Sequence, residues 1–118
     1  MTELDLIQQI NDKPNSIEFN AIMQFISQNY TYKPVTFTNG VGGVAVINQA
    51  GTNEGSCKIF ALGKLLGLNK LATLACFGSY YRSDVLANPA GDDHANIRMF
   101  MKYGWDGIQF DADALTAK

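Results

Sequence analysis

Pro34 divides two kinds of hydrophobic spacing, and that switch limits the folds open to this chain. Before it, Phe19, Ile22, Met23, Ile26 and Tyr30 recur at helical intervals, and Asn15 stands three residues ahead of Glu18, the spacing of a capping box. An amphipathic helix is predicted over residues 17–29. Leu4, Ile7 and Ile10 predict a shorter helix ahead of it, ended by Asn11-Asp12-Lys13-Pro14, because proline disfavours helical geometry in the residue it follows. After Pro34, the β-favouring run Val35 to Thr38, the turn pair Asn39-Gly40 and the run Val44 to Ile47 predict a β-hairpin. Gly40, Gly42 and Gly43 do not make a phosphate loop, since such a loop must open a helix and this one leads into a strand.

Helical spacing returns with Ile59, Phe60, Leu62, Leu65 and Leu66, stopped by Gly67 as a left-handed cap, and Asn69 can open the next helix through Leu71, Leu74, Ala75, Phe77 and Tyr81. Asn88-Pro89-Ala90-Gly91 reads as a turn. Asp92 or Asp93 is then expected to cap a helix through Ile97, Phe100 and Met101 to Tyr103, ended by Gly104. A last strand, Ile108 to Phe110, can join the hairpin. About five helices around one small antiparallel sheet, with no alternation of long strands and helices, predict a helix-rich α+β fold. At 118 residues, one domain over 1–118 is expected.

A formal net charge of −2 supplies no basic footprint, so nucleic acid is not expected as a partner. The N-terminus is acidic and no long apolar run follows it, so neither a secretory leader nor a membrane span is read, and a soluble cytoplasmic protein is expected. Cys57 and Cys76 fall inside apolar helical patterns and are expected as thiols. With one histidine, His94, and no metal-ligand spacing, neither a metal nor another cofactor is predicted.

The segment Asn48 to Ala61 runs from a polar, glycine-punctuated loop into a helix with Cys57 near the junction. The amides and positive dipole end of a helix start favour a thiolate, lowering a cysteine pKa from about 8.5 toward 7. Cys57 as nucleophile, His94 as base and Asn48 or Asp93 as orienter would make a thiol-dependent acyl or amide transferase or hydrolase. The competing reading makes Cys57 a small core residue and His94 a structural hydrogen-bonding group at a helix start. Asn48, Asn53 and Ser56 are candidate ligand-binding groups in the polar loop. Tyr80, Tyr81, Arg82 and Trp105 offer rings and a guanidinium for a planar or anionic ligand, or else close the core. Of these, Tyr81 and Arg82 are candidate ligand-binding residues.

Several separated blocks carry a resemblance to a known family. They are Asn39-Gly40, Asn48 through Gly51 leading to Gly55-Ser56-Cys57-Lys58-Ile59-Phe60, Thr73 through Gly78 with Tyr80-Tyr81-Arg82, Gly91 through His94 with Asn96-Ile97-Arg98, and Gly104-Trp105 with Gly107-Ile108. In these the chain resembles the HopJ family of type III effector proteins over nearly its whole length. The resemblance implies no defined biochemical activity. It leaves a binding or interaction module, meeting a small molecule or a protein partner, beside the thiol-enzyme alternative.

Overall fold

Thr2 opens the first helix with a reciprocal pair of hydrogen bonds: its hydroxyl accepts from the Asp5 amide at 3.1 Å, and its own amide donates to the Asp5 carboxylate at 2.9 Å. In the computed structural model, which describes residues 1–118, helix α1 (Glu3–Asp12) leads through a 3-10 turn at Pro14–Ser16 to α2 (Phe19–Asn29). The capping box therefore lies one helix earlier than the Asn15 and Glu18 spacing predicts. Glu18 is the N-cap residue of α2 and makes no side-chain cap bond. The buried face of α1 is also turned from the one expected, because Leu6 and Ile10 enter the core while Leu4 is 78% exposed.

Strand β1 (Tyr30–Tyr32) follows α2 directly and pairs with the last strand, β5 (Leu115–Ala117), in an antiparallel two-stranded sheet. A second sheet has β2 (Phe37–Asn39) at its centre, flanked by β3 (Val46–Asn48) and β4 (Ile108–Phe110), all antiparallel. The hairpin and the joining of residues 108–110 match expectation; the β1 and β5 pair is additional. The hairpin does not turn on Asn39-Gly40. Asn39 ends a strand with its side chain buried, and a loop containing a 3-10 turn at Gly42–Val44 makes the connection. Gly40 has φ +112, and a Cβ there would come within 2.9 Å of the Met99 sulfur and 3.1 Å of Ala45 Cα.

Helix α3 (Glu54–Leu66) stops at Gly67, whose φ of +66 is the left-handed cap predicted, and α4 (Lys70–Ala75) starts from Asn69, whose side chain accepts from the Ala72 amide at 2.8 Å. The expected run through Phe77 to Tyr81 is broken by Gly78, φ +60, where a Cβ would stand 2.8 Å from the Phe19 amide nitrogen. Close packing of the α2 start forces that break. A π-helical turn, Tyr80–Val85, follows, and after a loop comes α5 (Ala95–Tyr103), ended by Gly104. The N-cap of α5 is His94, not Asp92 or Asp93.

Phe60 of α3 lies fully buried where these elements meet, with ring centroids 5.9 Å from Phe37, 5.5 Å from Phe77, 4.9 Å from Phe100 and 6.5 Å from Trp105. This aromatic cluster packs α3 against the three-stranded sheet and α5, and so fixes the two helix starts relative to each other. Trp105 closes it, donating its indole N–H to the Leu68 carbonyl at 2.8 Å. The result is an α+β domain in which no helix is long and apolar enough to cross a membrane.

Candidate functional site

Asn53 and His94 are the only non-glycine residues with positive φ, at 50° and 51°, and they are the N-cap residues of α3 and α5. A left-handed backbone at a residue with a Cβ costs on the order of 1 kcal/mol. Neither side chain repays that cost by capping its own helix, so the first-turn amides of both helices stay open. Each side chain is drawn elsewhere. Asn53 Nδ2 donates to Asn48 Oδ1 at 2.8 Å, and His94 Nε2 lies 2.9 Å from Asp84 Oδ2.

Behind Asn53 lies a buried amide network. Asn96 Nδ2 donates to Asn48 Oδ1 at 2.9 Å, Asn48 Nδ2 returns a bond to Asn96 Oδ1 at 3.2 Å, and Asn39 Nδ2 donates to Asn96 Oδ1 at 3.0 Å and to its main-chain carbonyl at 2.9 Å. The network joins β2, β3 and the starts of α3 and α5 with neutral groups. Uncharged amides can be buried there without the desolvation cost of ions.

The two helix starts border one cleft of about 380 Å³, whose lining includes Phe19, Phe77, Tyr80, Asn53, Ser56 and His94. Tyr80 packs edge-on to Phe19 at 5.0 Å and tilted against the His94 ring at 5.3 Å. The π-helical turn thus brings both Tyr80 and Asp84 to the same imidazole. On the outer side, Arg98 forms an ion pair with Asp93 and donates to the Asn88 carbonyl at 2.9 Å, and its guanidinium holds the Asp93 carboxyl below the usual carboxylate range. Asp93 Oδ2 is also 3.8 Å from His94 Nε2.

The residues singled out in the sequence divide into two groups. Asn53, Ser56 and His94 border the cleft; Asn48 lies behind it in the amide network, and Asp93 flanks the imidazole. Cys57 is not there. It is 1% exposed on another side of α3, its sulfur 3.9 Å from the Val35 carbonyl, and no hydrogen bond joins it to His94. Burial raises its thiol above the ordinary range, the reverse of the shift expected at a helix start. Burial likewise pushes the Cys76 thiol up to about 12. Arg82 donates to the Ile17 carbonyl at 3.0 Å, and so fastens the π-helical turn to the approach of α2; Tyr81 packs against the core. Neither Arg82 nor Tyr81 borders the cleft.

Sequence reasoning passed over Asp84. Its only signal was a carboxylate ten residues before the single histidine, which has no meaning until the π-helical turn is formed. No group of three or more His, Cys, Asp or Glu side chains is placed to hold a metal ion.

The family model described as HopJ type III effector protein matches residues 4–115. Among solved structures, one described as a crystal structure of unknown function protein VPA0580 is similar over 100% of this chain and 95% of its own, with 50% sequence identity and a TM-score of 0.94. No curated protein matches.

Proposed function

The chain belongs to the HopJ type III effector protein family, and we propose that it is a small-molecule-binding module whose site is the cleft between the starts of α3 and α5. One observation carries this reading: the only two left-handed non-glycine residues, Asn53 and His94, both stand on the rim of the same cleft. Backbone strain that a packed structure maintains clusters where side chains are held ready for a ligand. A volume of about 380 Å³ lies at the small end of ligand sites, which favours a compact molecule.

A thiol transferase fits the same geometry less well. Its nucleophile would be a sealed thiol that burial keeps protonated, on a different side of α3 from the imidazole. The reading places the protein in the cytoplasm, where the two unpaired thiols stay reduced.

The test is a titration of ¹⁵N-labelled protein with benzoate, phenol, benzimidazole and 1-methylbenzimidazole at millimolar concentration, followed by amide chemical shifts. The expected result is saturable shifts, with at least one probe, confined to residues 53–56, 77–80 and 94–97 and the start of α2. Shifts centred elsewhere, or none with any probe, would overturn the proposal.

A further inference from the structure

Resting on the binding reading above, we infer that the cleft selects a planar nitrogen heterocycle that donates a ring N–H to His94 Nδ1. An ionised carboxylate only accepts hydrogen bonds, so the His94 Nε2 that stands 2.9 Å from Asp84 Oδ2 carries the proton. Asp93 Oδ2, 3.8 Å from the same nitrogen, favours the same tautomer. A neutral imidazole protonated at Nε2 leaves Nδ1 as a bare acceptor. His94 makes no other side-chain hydrogen bond, so that acceptor is left for a ligand.

The rest of the lining selects shape and charge. Phe19, Phe77, Tyr80 and His94 bring four rings to one small cleft, and a flat ligand can lie against an aromatic face. The volume suits one or two fused rings rather than a long chain. No lysine or arginine lines the cleft, and the imidazole on its rim is flanked by the Asp84 and Asp93 carboxylates, so a neutral ring with a donor edge is preferred over a strong acid. The Ser56 hydroxyl and the open first-turn amides of α3 and α5 supply donors for a second ring nitrogen or a ring carbonyl.

Benzimidazole and 1-methylbenzimidazole form the discriminating pair, because methylation removes the N–H and keeps the ring and its acceptor nitrogen. In wild-type protein at pH 8, benzimidazole should bind about tenfold more tightly, the worth of one net hydrogen bond. In Asp84→Asn the carboxamide can donate to Nε2 and move the ring proton to Nδ1, so the preference should fall to about one. Asp84 is half exposed, so the isosteric change leaves the fold in place. His94 is the only histidine, and its ring ¹⁵N shifts read the tautomer directly. A dominant Nδ1–H form in the wild type would overturn the inference, as would equal affinity for the two probes or a preference that survives Asp84→Asn. Binding of benzoate or phenol with no benzimidazole preference would defeat this inference and leave the binding reading standing. Silence from every probe would defeat both.

Discussion

Ser56 and Cys57 are neighbours in the first turns of one helix, yet Ser56 borders an open cleft and Cys57 is sealed against Val35. The argument that a helix start activates a thiol concerns position along the axis, and by that measure both residues qualify. One residue later is a rotation of about 100°, and here that rotation separates cleft from core. Reactivity at a helix start therefore depends on azimuth as much as on distance from the cap. The packing of Phe60 against Phe37, Phe77 and Phe100 sets that azimuth.

The largest effect should come from the amides that support the cleft side. Asn48→Ala removes the partner of Asn53 and both bonds to Asn96 at once, and should cost about 3 kcal/mol in urea unfolding, since buried polar groups lose their partners. A cost below about 1 kcal/mol would mean that the cleft side does not depend on buried amides.

The sealed side should reveal itself through pH. Burial raises both thiols, Cys76 to about 12, above their ordinary value near 9. The protonated thiol is thus the form the fold favours. This contribution is intact below pH 9, declines above it as the unfolded chain releases protons that the folded chain retains, and is lost as pH passes the folded value. Burial also raises Tyr30, whose hydroxyl donates to Glu3 at 2.6 Å, which acts in the same direction. The urea midpoint should fall steadily from pH 9 to pH 10.5, and native protein at pH 8 should leave both thiols unmodified by a maleimide. A flat midpoint with rapid labelling would place Cys57 in solvent and erase the contrast with Ser56.

The smallest effect sharpens the comparison. Ser56→Ala should change stability by less than about 0.5 kcal/mol, because its hydroxyl holds no other part of the protein. A larger loss in thermal or urea unfolding would make Ser56 a structural residue like its neighbour.

The parts of the fold legible in the sequence are those with local causes. Gly67, Asn69 and Gly104 end or begin helices through their own backbone freedom or side-chain bonds, and they act where their sequence signals predict. The β1 and β5 pair has no such cause: two three-residue strands more than 80 residues apart in the chain are brought together by the tertiary fold alone. The cleft was half legible. Asn53, Ser56 and His94 stood out as polar groups near helix starts, whereas Asp84 gained its role only when Gly78 broke the preceding helix and a π-helical turn took its place. Arg82 looked like a ligand-binding cation and instead fastens that turn to the Ile17 carbonyl, a contact across 65 residues that no local pattern announces.

Asn39 is followed by Gly40, the pair most prone to spontaneous deamidation in peptides, where the glycine nitrogen attacks the side-chain carbonyl and ammonia leaves. In the folded chain the attacking nitrogen and the departing amide nitrogen are both occupied. Gly40 N donates to the Gly107 carbonyl at 3.0 Å, and the Asn39 amide nitrogen is bonded to Asn96. The chemical lifetime of this protein is therefore tied to how seldom β2 detaches from its neighbours. Each opening exposes the pair to ageing, and the aspartate that results would return a charge to a place built for neutral amides.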